Sequence, residues 1–146
     1  MPAIGESLKQ FWLRCKIELR CGASDSDLRD FENKYNIHLP DDLKDYFSTA
    51  DGFYNSDVDG NFITFLPLAE VVPLNEQWSR KPEAKSYFIF ADYSISAHVY
   101  AIYLTDDASS NPIVIAYDND PKQIASSFSE FVQGYIEDDY GVLFPQ

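Results

Sequence analysis

Carboxylates are the reactive groups this chain holds in quantity: 24 Asp and Glu stand among 146 residues, against 11 Lys and Arg and 2 His. Two carboxylates whose surroundings push their pKa values apart could serve as general acid and general base. No spacing in the sequence assigns such a pair, and a solvated acidic surface is the simpler account. The imidazoles are His38, just before Leu39-Pro40, and His98, inside an apolar run. Neither sits in a local signature of a Ser/His or Cys/His nucleophile system. Cys15 and Cys21 are six positions apart, a spacing that fits neither a zinc site nor a thioredoxin-type pair. They read as reduced thiols, Cys15 on the apolar face of a helix. Asp57-Val58-Asp59-Gly60-Asn61 begins like a calcium loop. However, Phe62 stands where such a loop needs Gly, and no Glu occupies the twelfth position, so the segment reads as a turn. The 6 glycines are scattered and make no phosphate loop. No metal and no cofactor is expected.

The charge balance narrows the partners. The formal net charge is -13 and the pI is near 4.3. A nucleic-acid binder needs a basic face to displace counterions from phosphates, and the longest basic cluster here is Arg80-Lys81. Direct binding of nucleic acid or of an anionic membrane is therefore not expected, while a basic protein is the partner the charge favours. The excess is uneven: residues 1–24 carry +2, residues 25–65 carry -7, residues 66–99 carry -1 and residues 100–146 carry -7. No apolar run reaches the roughly 18 residues of a membrane span. Glu6, Lys9 and Arg14 interrupt the N-terminal segment, which is unlike a signal peptide. The expected location is cytoplasmic.

These groups must be held by a folded core, and the composition supplies one. Apolar residues make up 45% and aromatics 16% of the chain, with 11 Phe, 10 Tyr and 2 Trp, which excludes extensive disorder. The length suits one domain over residues 1–146, with about 68% of the unfolded surface buried. Leu8, Phe11, Trp12, Cys15 and Leu19 form one stripe of a helix over residues 5–20, ended by Gly22. Ser24 caps a second helix, with Asp27 in a shortened capping box and Leu28, Phe31 and Tyr35 facing inward. Asn36 is its left-handed end. Leu39-Pro40 opens a third helix, with Asp41 and Asp42 at its positive end and Leu43, Tyr46, Phe47 and Ala50 inside. Asp51-Gly52 stops it.

After a polar loop, strands are expected at "NFITFLPL", "SYFIFADY", "AHVYAIYL" and "PIVIAYD", rich in aromatic and β-branched residues. Pro73 interrupts the ambiguous stretch 69–78, and residues 106–111 form a loop between the last two strands. A final helix starts near Pro121 and carries Ile124, Phe128, Phe131, Val132, Tyr135 and Ile136. The tail packs back through Val142, Leu143 and Phe144. Connections of five to eight residues favour antiparallel pairing. The expected class is α+β: one domain with a mainly antiparallel sheet, N-terminal helices flanking it and a C-terminal helix closing it.

The linear order of these marks resembles the SUKH superfamily, the group of SMI/KNR-type cell-wall-regulator-like domains. The capped helix "ASDSDLRDFENKY" with Glu32 after Phe31 leads to "IHLPDDLKDYF", then to "TADGF" with Gly52. The strand "SYFIFADY", further paired strands and "IASSFSEFVQGYI" with Ser127, Phe128 and Phe131 complete it. Ser94 and Ser96 stand in a turn where relatives often carry Gly. The resemblance implies an α+β domain without catalysis or cofactor. It further implies kinship with bacterial immunity proteins, which bind and neutralise a cognate toxin, often a nuclease, and with fungal signalling scaffolds. It places no partner surface.

The expectation is thus a non-enzymatic immunity protein whose acidic face meets the basic surface of a toxin domain. An intracellular scaffold without a toxin partner is the alternative, and a small hydrolase built on an Asp/Glu or His98 site stands third. The candidate contacts are acids expected in loops, namely Asp51, Asp57, Asp59, Asp106, Asp107, Asp118 and Asp120, with Tyr54 and Tyr93 as aromatic anchors. Trp78 reads as packing.

Overall fold

The computed structural model of the chain describes residues 4–54, 58–60, 62–74, 85–93, 98–107, 109–116, 121–137 and 140–143. Helix α1 (Ile4–Arg14) buries Leu8 and Trp12 completely. It ends earlier than the stripe suggests, for a local reason. Lys16 takes φ 61°, its N–H donates to the Leu13 carbonyl, and the Ile17 N–H donates to the Trp12 carbonyl at 3.0 Å. These are the paired bonds of a Schellman end, formed here without glycine. Ile17 thereby turns into the core, while Cys15, expected on the apolar stripe, is exposed. Strand β1 (Leu19–Cys21) follows. Gly22 has a different task from capping α1. A Cβ at this position would lie 1.9 Å from the Ser48 carbonyl oxygen, so the side chain is excluded by close passage of the backbone.

Helix α2 (Asp25–Tyr35) has the full capping box: the Ser24 hydroxyl accepts from the Asp27 N–H, and the Asp27 carboxylate accepts from the Ser24 N–H. Asn36, at φ 55°, closes it. Helix α3 (Asp41–Thr49) turns Leu43, Tyr46 and Phe47 inward and runs straight into β2 (Ala50–Phe53), which pairs antiparallel with β1. Asp51-Gly52 is therefore part of a strand rather than a helix stop. Gly52 has φ 75°, and its backbone lies against Leu66 and Pro67 so closely that a Cβ would clash.

The larger sheet is antiparallel throughout. It comprises β3 (Ile63–Phe65), β4 (Val72–Pro73), β5 (Tyr87–Tyr93), β6 (His98–Tyr103), β7 (Ile113–Ala116) and β8 (Lys122–Ala125), in the order β3-β5-β6-β7-β8, with β4 also on β5. A 3-10 turn (Leu68–Glu70) links β3 to β4. Strands β5, β6 and β7 bury apolar residues on both faces of the sheet. Phe88, Tyr100, Ile102, Ile113 and Ile115 join the main core with the helices. Ile89, Val99, Ala101, Val114 and Ala116 join a second cluster with Leu74.

The expected helix from Pro121 is corrected. Residues 122–125 are β8, laddered to β7 through Ile115↔Lys122 and Ile113↔Ala125. Helix α4 (Phe128–Ile136) begins only after Ser127, whose hydroxyl accepts from the Glu130 N–H. A short helix α5 (Tyr140–Leu143) follows, with Leu143 fully buried. The side chains of Val142 and Phe144, and Trp78 altogether, lie outside what is described. The chain is an α+β fold closed by a C-terminal helix.

At the centre Trp12 meets Tyr46, Phe53, Phe65 and Tyr135 edge-on, at ring separations of 4.9 to 6.3 Å. Among the described residues no helix is long and apolar enough to cross a membrane.

His98 gives the fold a pH signature. Its ring is buried, stacked on Tyr93 at 4.5 Å, with Nε2 3.2 Å from the Tyr100 hydroxyl. Tyr100 donates its proton to the Leu143 carbonyl, so the Nε2–H of the neutral imidazole is the donor between the two rings. Burial lowers the His98 pKa to about 4, whereas the unfolded chain titrates near 6.5. The unfolded state therefore binds the proton first. The contribution of neutral His98 is complete above about pH 6.5 and is lost as pH falls toward 4. Urea midpoints of the wild type should decline between pH 7.5 and pH 5 more steeply than those of His98→Gln. Parallel curves would contradict this assignment.

Candidate functional site

A concave surface runs along α2. One wall is the helix face bearing Asp27, Asp30 and Lys34, which the 3.6-residue period puts in line. The opposite wall is Asp51 of β2 together with Leu68, Ala69 and Val71. Ala23, Phe31 and Tyr35 complete a groove of about 310 Å³. Asp51 is fixed there because its Oδ1 accepts from the Leu68 N–H at 2.7 Å, tying β2 to the turn that follows β3.

Partial burial raises the Asp51 carboxyl above its ordinary range. The Leu68 bond and nearby Arg20 oppose that shift, and Asp27 and Glu70 add to it. Three carboxylates from three elements thus act on one another at this place. Below the groove, burial and the Asp51 charge hold the Tyr46 phenol above its usual range, so it stays protonated. Lys34 lies 5.2 Å over the Tyr35 ring.

The groove acids Asp27, Asp30 and Asp51, and Glu70 near them, have no ion-pair partner among the described residues. Glu32 pairs with His38 at 3.7 Å and with Lys44 at 3.8 Å. An anionic groove with an aromatic floor is suited to receive cationic side chains, arginine above all, through charge-assisted hydrogen bonds. Among the described residues no group of three or more His, Cys, Asp or Glu is arranged to hold a metal ion.

The residues singled out from sequence are dispersed. Asp51 lines the groove. Asp106 and Asp107 are exposed on the β6–β7 connection, which is pinned near the end of α2 by a 2.7 Å bond from the His38 N–H to the Thr105 carbonyl. Asp107 accepts from the Ser109 N–H, which holds its carboxyl below the usual range. Tyr54 is exposed elsewhere, beneath the Arg20 guanidinium at 5.6 Å. It lies beside a shallow depression lined by Lys9, Leu13, Leu19 and Thr49. Tyr93 is half-buried against His98.

Asp59 departs from the expectation of a loop acid facing a partner. It is only 9% exposed; its Oδ2 accepts from the Tyr135 hydroxyl and its Oδ1 from the Ile63 N–H. Asp57, Asp118 and Asp120 lie outside the described residues.

Sequence reasoning missed Asp30 and Glu70, and took Asp27 only as a cap. The signal available was the three-residue spacing of Asp27 and Asp30, which puts both on one helix face.

The model of the SMI1 / KNR4 family (SUKH-1) matches residues 22–134 of this chain, a stretch that contains both walls of the groove. No curated protein matches it.

Proposed function

The chain belongs to the SMI1 / KNR4 family (SUKH-1), and from that premise we propose that it is a non-enzymatic immunity protein that binds and neutralises a cognate toxin domain with a basic surface, such as a nuclease. The observation that carries this reading is the α2 groove, where Asp27, Asp30 and Asp51 converge without ion-pair partners among the described residues. Asp27 and Glu70 repel the half-buried Asp51, and a basic partner relieves that repulsion on binding. A nuclease surface built to hold phosphates presents the complementary charge. Blocking that surface stops the enzyme without any bond being made or broken. The protein acts in the compartment where its toxin does, the cytoplasm.

The test is co-production of this chain with the toxin domain encoded beside its gene in a susceptible bacterial host, with titration calorimetry on the purified pair. The expected result is restored growth and a saturable complex that weakens as salt rises. Well-expressed, folded protein that neither protects nor binds would overturn the reading in favour of a scaffold without a toxin partner.

A further inference from the structure

Phe62 combines two features that folding alone does not favour. The residue is 61% exposed, and its backbone sits at φ 64°, a left-handed conformation that bulky residues seldom adopt. Among the described residues the ring meets no other ring. Val58, 42% exposed, lies across the same turn. The turn itself is held tightly from below. Asp59 N–H donates to the Ile63 carbonyl at 3.0 Å, and Phe62 N–H donates to the Asp59 carbonyl at 3.1 Å. The Asp59 carboxylate accepts from Ile63 N–H and from the Tyr135 hydroxyl, which in turn accepts from Trp12 Nε1 at 2.8 Å. A chain of hydrogen bonds thus runs from the centre of the core to the base of this turn, and the outcome is an aromatic ring held out in solvent.

The charge of the chain narrows what can cover it. Between Lys44 and Arg80 the sequence has no Lys, Arg or His but has Asp45, Asp51, Asp57, Asp59, Glu70 and Glu76. Ile63, next to Phe62, pairs with Tyr93, and Thr64 pairs with Asp92, on a strand whose only charged residue is that acid. His98, opposite Tyr93, is neutral at physiological pH. An apolar projection on a chain of net charge -13 fits an apolar cleft rimmed by basic residues. A second copy, itself at -13, is disfavoured by like charge.

We propose that Phe62, flanked by Val58, is a preformed aromatic anchor that inserts into an apolar cleft on a basic protein partner. The proposal rests on the immunity reading and names the contact that reading lacks. Strain stored in the free protein is the expected companion of such a site.

The experiment measures binding of the neighbouring-gene toxin domain to wild type, Phe62→Asn and Phe62→Gly by surface plasmon resonance, with thermal unfolding of each free protein. Asn and Gly both accept a left-handed backbone, so neither variant should melt below the wild type. Both should bind at least tenfold more weakly, the loss lying in faster dissociation. A clearly lowered melting temperature would make Phe62 a structural residue and overturn the proposal. Unchanged affinity with intact wild-type binding would overturn the anchor alone. Absence of wild-type binding would overturn the immunity reading and the anchor with it. Wild-type self-association that Phe62→Asn abolishes, with toxin binding retained, would assign the ring to a second copy and overturn the basic-partner claim.

Discussion

Trp12→Ala should lower the stability of this protein by about 3–5 kcal/mol, the range for removing a large buried aromatic. Trp12 is fully buried and meets four other aromatic rings edge-on, contributed by α3, β2, β3 and α4. It also donates to Tyr135, so truncation both opens a cavity and breaks the path to Asp59. The Tyr135 phenol, held above its ordinary range by burial and then by Asp59, would keep its own proton for Asp59 but lose its donor. Against a typical total of roughly 5–15 kcal/mol, such a loss puts a measurable unfolded fraction in dilute urea. Trp12→Phe, which keeps one ring but loses the indole N–H and part of the buried volume, should cost about 1–3 kcal/mol. The expectation is notable because Trp12 precedes the stretch matched by the family model, residues 22–134. A loss near zero in urea unfolding would show that α1 is an accessory to a core complete without it.

The class of fold was legible because its signals are local and periodic. Helix α2 was readable to the residue: Ser24 and Asp27 can only satisfy each other's backbone at a helix start, and Asn36 is one of the few residues at ease in the left-handed region. The strands β5, β6 and β7 announced themselves by β-branched and aromatic runs, and a sheet covered on both faces turns such runs wholly apolar. Two boundaries failed for opposite reasons. The stripe of α1 continued past its end because Ile17 and Leu19 remain inward from other elements, and the helix stop was written in Lys16, a residue with no turn preference. At the other end, Ile124 and Phe128 fell on one helical face by coincidence, although Ser127 followed by Glu130 marked the true start of α4.

The site was less legible because its residues are neighbours only through tertiary structure. Asp51 faces Asp27 across β2 and α2, and nothing in the spacing of 24 residues encodes that approach. Asp59 shows the converse. A turn sequence rich in acids reads as solvated, yet one of its carboxylates is spent inside on Tyr135 and Ile63. Reversing the charge at Asp59 would therefore strike the core, so it is a poor probe of any surface.

The groove is better tested by Asp30→Lys combined with Asp51→Asn. Asp27 is left in place because it holds the α2 capping box. Asn at position 51 keeps an oxygen for the Leu68 N–H while removing the charge, so the tie between β2 and the turn survives. Because burial raises the Asp51 pKa above its unfolded value, its negative charge costs the folded protein stability relative to the unfolded chain. Neutralising it should leave stability at pH 7 unchanged or slightly higher.

Together the two changes reduce the negative charge of the groove by three units. Association with a basic toxin domain should slow by about 10- to 100-fold at low ionic strength, with a much smaller change in dissociation, since steering acts on the encounter. The deficit should shrink as added salt shortens the Debye length to about 8 Å or less. Stopped-flow association rates across a salt series read this directly. Asp106→Lys, on the exposed β6–β7 connection, is the comparison. If it slows association more than the groove pair does, the docking face is that connection and not α2. If the groove pair changes dissociation instead, at all salt concentrations alike, its carboxylates make direct contacts buried in the complex and are not a steering field. Which rate constant changes, and whether salt removes the deficit, therefore decides whether the groove charge would guide a basic toxin domain in or hold it there.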